Sequence, residues 1–269
     1  MTRAKREMQE KLKQVDVLIE LRDARCPIST LNPLILDLAK NMPKLIVLTK
    51  KDMADPKALD AWMTYLKDEQ TEVIALDVLK DATQSKVIEA VLKVMQPKFD
   101  RWKSRGIQAR KIKAMVAGIP NVGKSTLINQ LAKKKIMVSA NRPGVTMALK
   151  WANVHPKLDV LDTPGVLWPK FDDPKTGIVL ALSGSIAEKV LPTQELAIYA
   201  YDFMCKHYGY FLKGFDTTSF DAFILDLAKQ RNLVKNDDYR INEAQEVFLR
   251  ELKTGKLGAV CFEFVEDLA

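Results

Sequence analysis

Residues 118–125 of the chain read Gly118-Ile119-Pro120-Asn121-Val122-Gly123-Lys124-Ser125. Two glycines bracket four residues and are followed by Lys and Ser, which is the pattern of a phosphate-binding loop. An apolar run at residues 113–118 precedes the loop, and apolar residues spaced three and four apart follow it over 124–133. We therefore predict a strand, a loop whose backbone amides surround a phosphate, and a helix whose positive amino end faces the same anion.

The side chains of this loop have expected roles. Lys124 is the candidate catalytic cation, because its charge would neutralise the β- and γ-phosphates of a nucleotide, and Ser125 would bind a magnesium ion. The residues expected to contact the nucleotide here are Asn121, Val122, Gly123, Lys124, Ser125 and Thr126.

Two further loops carry candidate metal ligands. Asp162-Thr163-Pro164-Gly165 follows an apolar run at 158–161, so Asp162 would coordinate magnesium from a strand end, and the amide of Gly165 would sense the γ-phosphate. Thr146 lies in the Pro- and Gly-containing stretch 142–146 between the two motifs, and we predict that its hydroxyl reaches the metal and serves catalysis. The alternative is that Thr146 is an ordinary loop residue.

Base recognition is predicted for Thr49-Lys50-Lys51-Asp52, which ends the apolar run 44–48. A carboxylate at Asp52 can accept hydrogen bonds from the N1–H and the exocyclic N2–H of guanine, and adenine offers neither in that geometry. The aliphatic part of Lys50 would lie across the base. The sequence therefore predicts GTP and GDP as ligands.

The order of these motifs is permuted, because the base-recognition motif comes before the phosphate loop. Parallel strands bring their carboxyl ends to one edge of a sheet whatever their order along the chain, so the same pocket can form. A further base-contact loop is expected after the next strand, near residues 75–77. The usual small residues are missing there, so we expect Leu76 and Asp77 to contact the base mainly through backbone amides.

The remaining pattern predicts an α/β fold, a circularly permuted G domain at residues 1–174. Near-continuous apolar runs predict strands of a parallel-rich sheet at 15–21, 44–48, 72–76, 113–118 and 158–161. Amphipathic spacing predicts flanking helices at 31–41, 56–67, 82–94 and 124–133.

Beyond residue 174 the pattern becomes helical. Helices are predicted at 178–186, 194–208, 219–230 and 242–252, so residues 175–269 are expected to form a smaller, all-α C-terminal domain. The short apolar tail at 259–265 is either a strand or a docking extension.

Composition limits the partners and the compartment. The net charge is +8, with 31 Lys and Arg against 20 Asp and Glu in residues 1–174, and 11 against 14 in residues 175–269. The basic runs at 1–13 and 98–113 are either solvated surface or contacts for a polyanion such as RNA. Three widely separated cysteines without metal-ligand spacing, and apolar runs too short to cross a bilayer, favour a cytoplasmic protein.

The motifs and their order resemble the bacterial ribosome biogenesis GTPase A family over nearly the whole chain. The resemblance rests on the phosphate loop, on Pro-Gly-Val-Thr at 143–146 and on Asp-Thr-Pro-Gly-Val-Leu-Trp-Pro-Lys at 162–170, and it includes Asp23-Ala24-Arg25 and the stretch 254–258. It implies a GTP-hydrolysing factor that binds a late precursor of the large ribosomal subunit and its ribosomal RNA, and leaves after hydrolysis. We expect a monomer without DNA or membrane partners, whose C-terminal domain contacts RNA or the ribosome.

Catalysis of hydrolysis has two expected aids. Val166 and Leu167 follow Gly165, so the water-positioning glutamine of many GTPases is absent, and hydrolysis should be slow unless a ribosomal particle and potassium stimulate it. The resemblance implies that Asn121 coordinates the potassium ion and so takes part in catalysis. The alternative is that Asn121 only shapes the loop.

Two departures from the family pattern bear on these expectations. Thr49 stands where many relatives have Asn, which should weaken the tie between this loop and the phosphate loop. Relatives usually carry an N-terminal segment that ends in a histidine proposed to act in hydrolysis; Met1 stands where that segment would just have ended, so either the native N-terminus is longer or catalysis differs. His155 and His207 are expected to be structural.

Two other functions stay open on these residues. Without the glutamine and the histidine, the chain could be a nucleotide-sensing interaction module with little intrinsic hydrolysis. A GTPase serving tRNA modification is a weaker alternative, because the additional enzyme domain and the cysteine usage expected of one are missing.

Overall fold

A computed structural model describes residues 10–268, with gaps at 34, 36–38, 41, 109, 136–149, 164–172, 187–190 and 236–237. Its centre is a six-stranded sheet in the order β3-β2-β1-β4-β6-β5. The strands are β1 (Val17–Asp23), β2 (Lys44–Thr49), β3 (Thr71–Leu76), β4 (Ile112–Ala117), β5 (Lys150–His155) and β6 (Leu158–Asp162). All neighbours pair in parallel except β5 with β6.

The five predicted strands are confirmed, and β5 is an additional strand at the edge. Along β5 the exposed Trp151 and Asn153 alternate with the buried Ala152 and Val154. This period of two is typical of a strand with one covered face. It contains no continuous apolar run, which is why the sequence pattern did not indicate a strand there.

Three helices pack against the sheet: α1 (Pro56–Tyr65), α2 (Thr83–Ser104) and α3 (Lys124–Ala132). Asp55 caps α1, since its carboxylate accepts a hydrogen bond from the Ala58 N–H at 3.0 Å. Helix α2 continues beyond the predicted end at residue 94 and passes through Pro97. The predicted helix at 31–41 falls partly on residues outside the described ranges.

The chain from residue 174 onward is mainly helical, as predicted. The helices are α4 (Pro174–Ser183), α5 (Thr193–Tyr208), α6 (Phe220–Gln230) and α7 (Ile241–Lys253). A two-residue antiparallel hairpin, β7 (Val234–Lys235) with β8 (Asp238–Tyr239), adds to them. Across the described ranges, every helix is too short or too polar to cross a membrane.

The helices beyond residue 174 and the sheet share an apolar core. One buried cluster contains Ile19 and Leu45 of the sheet together with Leu180 of α4 and Phe248 of α7. Burial of this shared apolar surface favours docking of the helical region on the sheet. The carboxyl ends of α4 and α7 are thereby brought near the loops at the sheet edge.

The tail at 259–265 is a docking extension that returns to the sheet domain. The Val260 N–H donates to the Met53 carbonyl at 2.9 Å, and the Phe262 N–H donates to the Arg25 carbonyl at 2.7 Å. The indole N–H of Trp62 donates to the Glu263 carbonyl at 3.0 Å. The tail is irregular backbone as far as Phe264, and a 3-10 turn begins at Val265, so the strand alternative is wrong.

Candidate nucleotide site

Four adjacent strands end at one edge of the sheet, and the predicted site loops follow those ends. The register aligns Asp23 with Thr49 across β1 and β2, and Val116 with Asp162 across β4 and β6. Because β1 lies between β2 and β4, the loops from both sides close over its end. This edge is where ligands bind in open parallel sheets.

The phosphate loop turns from β4 into α3 through two glycines that the backbone requires. A Cβ atom at Gly118 would lie 2.8 Å from the carbonyl oxygen of Leu21 on the neighbouring strand, which is too close for any side chain. Gly123, immediately before α3, has φ +103, a left-handed conformation that other residues rarely adopt. The predicted strand–loop–helix is therefore built as expected.

Lys124 lies at the start of α3 and is buried under its own loop. Its Nζ donates hydrogen bonds to the carbonyls of Gly118 at 3.1 Å and Ile119 at 2.7 Å. Burial lowers the pKa of Lys124 to about 8, against the opposing attraction of the Asp162 carboxylate. A polyphosphate beside this ammonium would favour its charged form.

Asp162 ends β6 with its side chain fully buried near Lys124. The next residue, Thr163, donates from Oγ1 to the Val116 carbonyl at 2.8 Å, which ties the end of β6 to the end of β4. The site thus brings a carboxylate to the strand edge beside the amino end of α3, where Ser125 supplies a hydroxyl. Both are the hard oxygen ligands that magnesium prefers.

The guanine motif forms a tight turn directly after β2. Residues Lys51–Met53 form one 3-10 turn, and Lys50 before it takes the left-handed conformation. The Asp52 carboxylate is partly exposed, with the Lys80 Nζ at 4.0 Å, while the Lys51 ammonium is engaged with Asp81 at 2.7 Å. Asp52 is therefore the one carboxylate among residues 50–53, and it remains partly accessible to solvent.

Thr49 ties this motif to the phosphate loop. Its Oγ1 lies 2.9 Å from the Val122 carbonyl and 3.1 Å from the Arg22 carbonyl. A hydroxyl has a single proton to donate, whereas the amide of the Asn found in many relatives has two. The tie is present, with one proton serving two acceptors.

The predicted base-contact loop after β3 offers little to a base through its side chains. The Leu76 side chain is fully buried in the main core. The Asp77 N–H already donates to the Asp81 carboxylate at 2.9 Å, and the Asp77 carboxylate accepts from the amides of Leu79 and Lys80. Asp77 organises its own turn.

A buried ionic cluster lies at the end of β1. The sequence pattern places its residues in the family resemblance but predicts no role for them. The Asp23 carboxylate accepts from the Arg25 Nε at 3.0 Å and pairs with the Lys50 Nζ at 2.8 Å. Burial alone would raise the pKa of Asp23, but the charges of Arg25 and Lys50 hold it well below its usual range. The available signal is a run of charged residues at the end of a mainly apolar strand, Arg22 and Asp23 with Arg25 after it, since a folded protein buries such residues only when they are paired.

Asn121 in the phosphate loop contacts the helical region. Its Nδ2 donates to the Ser185 carbonyl at 3.3 Å, and its backbone is left-handed with φ 59. Thr146 and Gly165 lie outside the described residues. His155 accepts from the Lys157 N–H through Nδ1, and His207 stacks against both Phe203 and Phe264, so both histidines make structural contacts as expected.

The fold and the loops define the class of this protein: a phosphate-loop GTPase with circularly permuted motif order and a helical C-terminal part. The protein family described as 50S ribosome-binding GTPase matches residues 113–206. A ribosome biogenesis GTPase A of Bacillus cereus is 41% identical over 275 residues, covering 99% of this chain and 92% of the relative. The chain belongs to the ribosome biogenesis GTPase A family.

Relatives and solved structures at lower identity also match over nearly the whole chain. The ribosome biogenesis GTPase A of Thermotoga maritima is 29% identical over 267 residues, 99% of this chain and 92% of that relative. The structure of GNP-bound YlqF from T. maritima is 25% identical, covers 97% of this chain and 98% of its own, and superposes with a TM-score of 0.68. The similarity therefore includes the helical region as well as the sheet.

Proposed function

We propose that this protein binds and hydrolyses GTP as a cytoplasmic assembly factor in late maturation of the large ribosomal subunit. The observation that carries the proposal is the 2.9 Å contact between Thr49 Oγ1 and the Val122 carbonyl, because it joins the guanine motif to the phosphate loop. The names of the relatives, ribosome biogenesis GTPase A, support the ribosomal setting.

The residues of the site take the following roles in this proposal. Asp52 accepts from the guanine N–H groups, Lys50 covers the base, and the loop amides surround the phosphates. The nucleotide-contacting set is Thr49, Lys50, Lys51, Asp52, Asn121, Val122, Gly123, Lys124, Ser125, Thr126 and Gly165. Leu76 and Asp77 are left out, because the Leu76 side chain is buried and the Asp77 amide is bonded to Asp81. Magnesium, held by Ser125, Asp162 and Thr146, would neutralise charge on the β- and γ-phosphates.

Potassium is assigned to Asn121. Because the Nδ2 of Asn121 donates to the Ser185 carbonyl at 3.3 Å, its amide oxygen is the atom left to face a cation beside the phosphates. Such a cation would stabilise the charge that develops during hydrolysis. Replacing potassium by sodium should lower GTP turnover several-fold, and Asn121→Ala should remove the difference. Equal turnover in the two salts would reject the assignment.

The RNA contact is assigned to the opposite edge of the sheet, where α2 ends and β4 begins. We call this surface the amino edge; its cations are Lys98, Arg101, Lys103, Arg105, Arg110, Lys111 and Lys113. The Arg110 guanidinium lies 5.0 Å from the ring centre of Trp102, and the Lys113 ammonium 5.5 Å from that of the exposed Trp151. Cations beside indole rings suit phosphates and stacked bases.

Two experiments test the proposal. Titration should show that the protein prefers GDP to ADP and that Lys124→Ala strongly weakens binding; indifference to the base would refute the site. Co-sedimentation with large-subunit precursors should be stronger with a GTP analogue than with GDP. If nucleotide-dependent binding occurs but potassium and particles leave hydrolysis negligible, the protein is a nucleotide-sensing module and the hydrolytic part of the proposal is wrong.

A further inference from the structure

The guanine motif is held from the side of the helical region as well as by the sheet. The Lys50 ammonium lies 3.4 Å from the Ser183 carbonyl at the end of α4. On the other side of the turn, the Met53 carbonyl accepts from the Val260 N–H of the tail, and Gly255 approaches so closely that a Cβ there would lie 3.2 Å from the Met53 side chain. The turn at 49–53 is therefore enclosed by residues distant in sequence.

Arg25 is the side chain that joins these contacts. Its Nε and one terminal nitrogen donate to the Asp23 carboxylate at 3.0 and 2.9 Å. The same terminal nitrogen donates to the Ser183 carbonyl at 2.7 Å, and the other donates to the Lys253 carbonyl at 2.8 Å. Only 1% of Arg25 is exposed to solvent.

The two carbonyls are the last ones of their helices. Ser183 ends α4 and Lys253 ends α7, so both oxygens belong to the group that finds no partner within its own helix. A guanidinium at the negative ends of two helix dipoles is favourable, and its planar fork can satisfy both carbonyls and a carboxylate at once. Lysine could not make this set of contacts.

Arg22, the second-last residue of β1, provides a contrast with Arg25, which follows the strand. It is also buried and also pairs with a carboxylate, that of Glu20, at 3.1 Å. Its remaining hydrogen bond goes to the Pro27 carbonyl at 3.4 Å, so within the described residues its contacts stay in the sheet domain. A buried arginine at this strand end therefore does not by itself require contact with α4 and α7; Arg25 makes that contact specifically.

We propose that Arg25 is a positioning residue that couples guanine binding at residues 49–53 to docking of the carboxyl ends of α4 and α7. Asp23 is the shared element, because its carboxylate holds Arg25 and Lys50 together. A base that orders Lys50 therefore stabilises the arrangement in which Arg25 reaches Ser183 and Lys253. By linkage, helices that are docked hold Lys50 in place for the base to the same extent. The inference rests on the proposed guanine site.

Hydrogen exchange of the full-length protein tests the coupling directly. The reporters are the amides that close the two helix ends, those of Gly184 and Ser185 after α4, and those of Gly255 and Lys256 after α7. GDP should slow their exchange in the wild-type protein, and ADP should not. In Arg25→Gln this slowing should disappear, and GDP should bind about tenfold more weakly, which is a typical coupling between sites.

Arg22→Gln is the matched control, because it also removes a buried arginine from a carboxylate. It should lose thermal stability but keep the GDP-induced slowing at both helix ends. If Arg25→Gln does not fold, Arg25→Lys replaces it; its single ammonium can reach only part of the acceptor set, so the slowing should be reduced. Slowing that persists in the Arg25 variants while the wild type prefers GDP overturns this inference alone. A wild type that does not distinguish GDP from ADP overturns the proposed function as well.

Discussion

Each end of strand β1 carries a buried aspartate paired with one lysine and one arginine, but the two clusters connect different parts of the chain. Asp16, just before β1, binds Lys98 at 2.9 Å and Arg110 at 2.7 Å, and accepts from the Lys113 N–H. Asp23, its last residue, binds Arg25 and Lys50. Both aspartates are buried, and burial would raise the pKa of each, but their partners hold both pKa values below the usual range.

The arginine partners differ in their access to water. The Arg110 side chain is 49% exposed and that of Arg25 is 1% exposed, whereas the two lysines are alike, with Lys98 at 26% and Lys50 at 25%. At the amino edge the cluster fastens neighbouring pieces of the sheet domain and leaves cations facing solvent. At the carboxyl edge the cluster connects the guanine motif to helices far along the chain. The same residue types can thus stabilise contacts within the sheet domain or connect the sheet domain to the helical region.

The largest expected effect is the difference between Asp23→Ala and Asp16→Ala. Removing Asp23 leaves Arg25 buried without its counter-charge, which should cost about 3–5 kcal/mol of unfolding free energy. Removing Asp16 frees cations that can turn to water, so the cost should be about 1 kcal/mol. Urea unfolding followed by circular dichroism measures both values. Equal losses of unfolding free energy would mean that the two clusters contribute to stability in the same way.

The pH dependence of stability checks the same comparison. Because the pKa of Asp23 is depressed in the folded protein, its contribution is present above the ordinary aspartate pKa of about 3.9 and is lost as the pH falls below it. The difference in unfolding free energy between the wild type and Asp23→Ala should therefore become smaller under acidic conditions.

The second prediction concerns the buried cation at the carboxyl edge. With a pKa of about 8, Lys124 is largely neutral at pH 9, and phosphate binding requires its charged form. GDP affinity should therefore fall about tenfold between pH 7 and pH 9, and proton uptake on binding should rise from near zero at pH 7 to about one at pH 9. Calorimetry in buffers of different ionisation enthalpy measures both quantities.

Two variants separate this effect from titration of the nucleotide itself. Lys124→Met should bind GDP weakly and lose the part of the pH dependence that belongs to the lysine. Lys103→Met, at the amino edge, should keep the wild-type profile. A wild-type affinity that stays constant over this interval would contradict the role of burial.

The sequence predicted the sheet because its buried strands are near-continuous apolar runs, and it predicted the site loops because their residue types follow strand ends in a fixed pattern. Two features could not be read this way. Edge strand β5 alternates exposed and buried residues and so lacks the apolar run. The contacts of Arg25 with Ser183 and Lys253 involve main-chain carbonyls, which every residue possesses, so no residue type signals them.

The third prediction tests the amino edge as an RNA surface. Lys103 and Arg105 are exposed, and within the described chain neither is engaged in an ion pair. The double change Lys103→Glu with Arg105→Glu should weaken binding to ribosomal RNA several-fold at moderate salt and reduce the slope of log affinity against log salt by about 2. Filter binding over a salt series measures this, and GDP affinity should not change.

A charge-matched control uses Lys57 and Lys213. The double change Lys57→Glu with Lys213→Glu alters the net charge equally on exposed side chains outside the amino edge. It should change RNA affinity less than the amino-edge pair does. Equal losses would show that overall charge, and not this surface, attracts the RNA.

The smallest expected effect concerns Thr49, which joins the two motifs at the carboxyl edge. Valine keeps the methyl group that faces Gly123 and the buried shape, but it removes the proton offered to the Val122 and Arg22 carbonyls. Thr49→Val should cost about 1 kcal/mol of stability, the usual worth of one buried hydrogen bond. GDP affinity should fall by less than the tenfold expected for Arg25→Gln, because β2 and β1 still hold both loops in register.

Thr49→Asn is the matched control. It should keep or strengthen the hydrogen bonds between the two motifs, since its amide can donate to both carbonyls. A larger loss of GDP binding in Thr49→Val than in Arg25→Gln would mean that the direct contact between the loops, and not their common attachment to the helical region, positions the guanine site.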